Sequence, residues 1–102
     1  MSRVVDHVVR VRSKNAGPFR LTIDLFCTGE RAYETVATSL STARVAAAFG
    51  LDETRVDRFE LPALAVLKFS LPRPVVQGAA DDRDMHGAQW AVLVETLPLD
   101  DA

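Results

Sequence analysis

Alternation in two segments constrains this chain more than any other feature. Leu21, Ile23 and Leu25 alternate with Thr22 and Asp24 as far as Phe26, and Leu67, Phe69 and Leu71 alternate with Lys68 and Ser70. A period of two puts the apolar side chains on one side of a pleated sheet and the polar ones on the other. A sheet built this way has one face that must be covered, and helices are the natural cover.

The remaining segments supply that cover and the other strands. Val4, Val5, Val8 and Val9 recur at i, i+1, i+4 and i+5, one face of a short helix with Ser2 as its N-cap, an edge strand being the other reading. Arg12 to Pro18 stops this element, because Asn-Ala-Gly-Pro is turn chemistry. After Thr28-Gly29, the spacing of Tyr33, Val36, Ala37 and Leu40 predicts a helix of about three turns. Ser41 or Thr42 caps a second helix carrying Val45, Ala48 and Phe49, and Gly50 stands where a left-handed C-terminal cap belongs. Val56 to Leu61 and Leu64 to Leu71 read as two strands joined at Pro62-Ala63. Pro72 and Pro74 end the second, since neither donates a ladder hydrogen bond. Val75 to Gln89 is a long irregular segment, and Trp90 to Leu97 reads as a final apolar strand. The expected fold is α+β: a small mixed or antiparallel sheet of about four strands with two or three helices packed on one face. The first crossover can be parallel and right-handed, and the Val56–Leu71 pair an antiparallel hairpin.

Composition bounds the function. A chain of 102 residues fits a single domain spanning 1–102, with 48% hydrophobic and 25% charged residues, an ordinary globular balance. A net charge of -2 leaves no basic footprint and argues against nucleic acid as a partner. No apolar run approaches the roughly 20 residues that span a bilayer. Cys27 is the single cysteine, so no intrachain disulfide can form, and a cytoplasmic location is expected.

Catalytic signatures are missing: no Gly-rich phosphate loop, no CxxC, no HExxH, no GxSxG. His7 and His86 lie far apart with no metal-ligand spacing, so neither a metal nor a cofactor is expected. Two polar segments stand out. In Arg12-Ser13-Lys14-Asn15-Ala16-Gly17-Pro18-Phe19, two cations, a hydroxyl and an amide before a Gly-Pro turn can form an anion-binding corner, with Arg73 as a further cation. The competing reading is a solvated turn in which Asn15 or Gly17 supplies a positive φ. The segment after Arg73-Pro74 carries Asp82, Asp84, His86 and Gln89. Carboxylates beside a histidine suit acid–base work, while a soluble charge cluster on an excursion of the chain is the plainer alternative.

The octet Arg12 to Phe19, followed by the Leu21–Phe26 strand, resembles the opening of the small proteins of the domain of unknown function 4387 family. The resemblance continues through the Ala-rich helix ending in Phe49-Gly50, into Pro72-Arg73-Pro74, then Gly78, Asp82, Asp84 and Gly87-Ala88-Gln89. It covers nearly the whole chain and departs at Trp90-Ala91, where a more polar pair is expected. It implies no activity. It does imply a companion: such proteins stand beside, or fused to the end of, a larger acyclic terpene utilisation protein linked to degradation of carboxylic acids or their CoA esters. The expectation is a small accessory subunit that docks on the larger protein and helps bind an acidic substrate. Val4, Val8, Phe26 and Trp90 are apolar candidates for that interface. A pure interaction module, or a small enzyme using His86 and the loop aspartates, are the alternatives.

Overall fold

A computed structural model describes residues 2–73 and 90–99 of the chain. Strands β1 (Val8–Asn15), β2 (Arg20–Cys27), β3 (Asp57–Leu61) and β4 (Val66–Pro72) form one antiparallel sheet in the order β1-β2-β4-β3. Helices α1 (Glu30–Ser39) and α2 (Thr42–Ala48) connect β2 to β3, and α3 (Trp90–Glu95) follows the sheet. The class is α+β, as the alternation requires.

The alternation of β2 and β4 is realised in full. Leu21 pairs with Leu71, Ile23 with Phe69 and Leu25 with Leu67, and all six are completely buried. The helices cover that face: α1 packs on β2 and β4 through Tyr33 and Val36, and α3 packs on β1. Because β2 and β3 are each antiparallel to β4, they run in the same direction. The crossover through the helices is therefore parallel in sense, but β4 is inserted between its two strands. The hairpin expected between Val56 and Leu71 forms as β3 and β4, turning through Pro62–Leu64 with Ala65 in the left-handed region (φ 53°). Ser41 caps α2 by accepting the Arg44 N–H at 3.1 Å, and Gly50 adopts φ 69° just past its end.

Three expectations are corrected. The valine-rich start is one 3-10 turn over Val4–His7, and Ser2 is not its cap; Asp6 accepts the Arg3 N–H at 2.9 Å instead. The chain then enters β1, so Arg12 to Asn15 are strand residues and the turn is confined to 16–19. Val11 and Ser13 inside, alternating with exposed Arg10, Arg12 and Lys14, is a period-2 pattern that a single buried valine made hard to see. Last, Trp90–Glu95 is helix, not strand. Ala91 and Val94 are its buried positions, a spacing of three that belongs to a helix stripe. An apolar run of this length does not distinguish strand from helix by itself. The fourth strand of the sheet is thus supplied by the beginning of the chain. Residues 2–4 meet residues 97–99, with the Leu99 N–H donating to Ser2 O at 2.8 Å and the Val4 N–H to Leu97 O at 3.0 Å.

Candidate functional site

Strand alternation divides the octet between two faces. Ser13 and Asn15 point to the helix-covered side, whereas Arg12 and Lys14 point to the opposite, open side and are exposed. Beyond them the chain turns at Gly17, whose φ of 86° is the positive value expected of Asn15 or Gly17, and Ala16 N–H closes the turn on Arg20 O at 3.0 Å.

On the covered side Arg73 joins Asn15 and Ser13. Its guanidinium donates to the Asn15 side-chain oxygen, and its backbone N–H donates to Phe19 O at 2.9 Å. Arg73 is only 7% exposed, and a guanidinium that deep is retained only where its donors are met. Ser13 Oγ accepts the Ala91 N–H at 3.1 Å, which ties the start of α3 to β1. Of the sequence candidates, Asn15 and Arg73 therefore meet at the turn end of the sheet, and Ser13 lies on the same face of β1, bonded to the start of α3. Arg12 and Lys14 belong to a different surface. Asp82, Asp84, His86 and Gln89 lie outside the described residues.

The open face reads as rows across the sheet. Arg10, Phe26, Val66 and Leu61 are in register; so are Arg12, Asp24, Lys68 and Phe59; so are Lys14, Thr22, Ser70 and Asp57. Five cations stand here if Arg20 is included, against two carboxylates. Some are engaged. Arg20 reaches Asp57 at 3.2 Å and Ser70 Oγ at 2.9 Å, Lys68 lies 3.9 Å from Asp24, and Arg10 stacks over Phe26 at 5.1 Å. Arg12 and Lys14 form no ion pair among the described residues. Both are exposed, Arg12 with a planar bidentate donor and Lys14 with a mobile point charge. Of the apolar interface candidates, Val4 is fully buried and Val8 and Phe26 are half-buried.

Arg58 went unnoticed in the sequence. It stands on the covered face of β3, donating to the Ala37 carbonyl at 2.6 Å, the Leu40 carbonyl at 2.7 Å and Glu60 at 2.9 Å, over the Phe69 ring. It anchors the end of α1, where carbonyls lack helical partners. In the sequence it reads as a surface charge in a strand, and no local signal marks it otherwise.

Burial pushes the Tyr33 phenol up, the charge of Glu60 adds to this, Arg58 opposes it, and Cys27 adds slightly. His7 Nε2 lies 2.9 Å from Ser2 Oγ. Among the described residues no group of three His, Cys, Asp or Glu can hold a metal. A cavity of about 430 Å³ lined by Glu30, Pro62, Ala63 and Ala65 sits at the far end of the sheet from the candidate cations, with a single ionisable lining residue. Cys27 is 8% exposed, and burial raises its thiol pKa, so it behaves as a small core side chain. Ellman's reagent is expected to label it on the order of 100-fold more slowly in the native chain than in the urea-unfolded one. Labelling at equal rates would show an open β2 end.

A family model described as Domain of unknown function (DUF4387) matches residues 4–97. No curated protein and no solved structure matches the chain. Among the described residues no helix is long and apolar enough to cross a membrane.

Proposed function

Given that the chain belongs to the DUF4387 family, whose description assigns no reaction, we propose that it is a small accessory subunit of a larger metabolic enzyme. The enzyme acts on carboxylic acids or their CoA esters in the cytoplasm, and this subunit helps hold the acidic substrate. The observation that carries this reading is the pair Arg12 and Lys14, two residues apart on an exposed strand face with no ion pair among the described residues. Positions i and i+2 of a strand lie about 7 Å apart on one face, so both cations can address one anionic ligand. The described residues offer charge for binding, and the one Ser–His contact among them, His7 Nε2 to Ser2 Oγ at 2.9 Å, has no described third group that orients the imidazole, as a self-sufficient hydrolase or transferase needs. The partner implied by the family resemblance is the larger acyclic terpene utilisation protein.

Ser13, Asn15 and Arg73 take a different part in this proposal. They hold the turn against the end of β4 and the start of α3, and so set the direction in which Arg12 and Lys14 project. Arg12→Ala and Lys14→Ala are expected to leave the melting temperature unchanged, because neither side chain contributes to packing. Each should lower the activity of the assembled complex about ten- to a hundredfold, the loss of about 1.5–3 kcal/mol for a charge-assisted contact. Full activity in both variants, in a complex shown to be assembled, would remove the substrate-binding role.

A further inference from the structure

The geometry points to the free edge of β3 as a self-association surface, where a second copy of this chain adds its own β3 antiparallel and continues the sheet. Among the described residues β3 is a terminal strand, paired with β4 alone. Phe59 is 46% and Leu61 38% exposed, and Leu64 in the adjoining turn is 71% exposed. Asp57 and Glu60 are exposed as well, and no described residue covers this edge.

The ladder identifies which backbone groups the edge offers. At one end of the β2–β4 pairing Cys27 N–H donates to Ala65 O at 2.9 Å, and at the other Arg73 N–H donates to Phe19 O at 2.9 Å. Bonded and non-bonded pairs alternate along an antiparallel ladder. Leu67, Phe69 and Leu71 therefore turn their amides toward β2, and Val66, Lys68 and Ser70 turn theirs toward β3. The partners of the latter, Leu61, Phe59 and Asp57, spend their own amides on β4. The amides and carbonyls of Arg58 and Glu60 are left directed at the free edge, and no described residue bonds them.

The strand is complementary to itself in register. Laid antiparallel about Phe59, Asp-Arg-Phe-Glu-Leu sets Arg58 opposite Glu60 of the second copy, and two-fold symmetry repeats the pair. These are the two positions whose backbone groups are available, so each pair is a hydrogen-bonded one. Phe59 faces Phe59 at the non-bonded position between them, where cross-strand side chains approach most closely and aromatic pairs add most. Charges on an edge commonly guard against pairing. Here the Arg58 and Glu60 charges already neutralise each other within each chain, at 2.9 Å, so the symmetric register sets no unpaired like charges against one another. Five residues bury less than the ~1,200 Å² of a standard interface, so the association is weak and concentration-dependent.

Sedimentation equilibrium of the full chain from about 10 µM to 1 mM, a range suited to weak association, tests this. A monomer–dimer equilibrium is expected, with exchange of the Arg58 and Glu60 amides slowing as concentration rises. The Phe59 amide, bonded to β4, should be slow throughout. Phe59→Lys should abolish the dimer without unfolding the monomer. Glu60→Pro should do the same by removing an edge donor that β4 does not use. Should the proline variant fail to fold, Phe59→Lys and the amide pattern decide. A chain monomeric through the whole range would overturn the proposal, as would a dimer that persists in Phe59→Lys or protects amides elsewhere. None of these variants touches Arg12 or Lys14, so this outcome and that of the substrate-binding test are independent.

Discussion

Phe69→Ala will remove about 3–5 kcal/mol of folding stability, the range found for emptying a buried phenylalanine site. The side chain is completely buried in β4, an inner strand with neighbours on both sides. It pairs across to Ile23 on one side and Arg58 on the other, so it joins the apolar centre of the sheet to the anchor of α1. Its neighbours lie on paired strands whose spacing the backbone ladder holds, which limits how far the cavity can collapse. The substitution also removes the ring beneath the Arg58 guanidinium, 5.6 Å from the ring centre, and with it a cation–π contact. A domain of about 100 residues shifts its melting temperature by roughly 4–8 °C per kcal/mol, so the variant should melt at least 12 °C lower. Urea unfolding followed by circular dichroism measures the loss directly. Phe69→Leu should cost much less, because most of the apolar volume remains. A loss below about 1 kcal/mol for the alanine variant would mean that the helices do not pack on this face as described.

Arg58→Ala is the second large effect, expected at about 2–4 kcal/mol. Hydrogen bonds to charged groups contribute about 1.5–3 kcal/mol each when intact, and part of that is lost here to solvent competition. The guanidinium is mostly buried, with 18% of the side chain exposed, and it satisfies two carbonyls at the end of α1 as well as Glu60. Truncation leaves those carbonyls without their donor beneath α1. Arg58→Lys should not restore stability, since an ammonium group cannot span both carbonyls and the carboxylate as the planar fork does. Arg20→Ala is the control. Its bridge to Asp57 is exposed, with side chains 38% and 64% accessible, and such pairs contribute about 0–1 kcal/mol. If Arg58→Ala costs no more than Arg20→Ala, the anchoring role is wrong.

The contrast between these arginines explains much of what could not be read in advance. Arg20 lies between Phe19 and Leu21, and Arg58 between Asp57 and Phe59, and neither setting says which side of the sheet the side chain will take. Arg58 falls on the covered face because β3 pairs with β4 in a register that sets it opposite Phe69. That register is a property of two strands, not of one. The octet from Arg12 to Phe19 poses the same problem. Its polar residues sit together in the chain, so one corner was the natural expectation, yet the pleat sends Arg12 and Lys14 to one side and Ser13 and Asn15 to the other. The link from Asn15 to Arg73 spans 58 residues and exists only because β2 holds β1 and β4 on its two sides.

By itself the sequence determined the α+β class, the buried faces of β2 and β4, the two central helices, the second with Ser41 or Thr42 at its start and Gly50 past its end, and the β3–β4 hairpin. Each rests on a local rule: a period of two, a period near 3.6, a side-chain cap, a residue tolerant of positive φ. Tertiary structure alone decided that the first residues supply the outer strand while Trp90–Glu95 coils into a helix. Valine-rich segments of six to eight residues satisfy either geometry locally, and the choice falls to whichever buries the apolar side chains and pairs the backbone at once. The β2 edge was paired by β1, and the remaining apolar surface beside β1 was covered by α3.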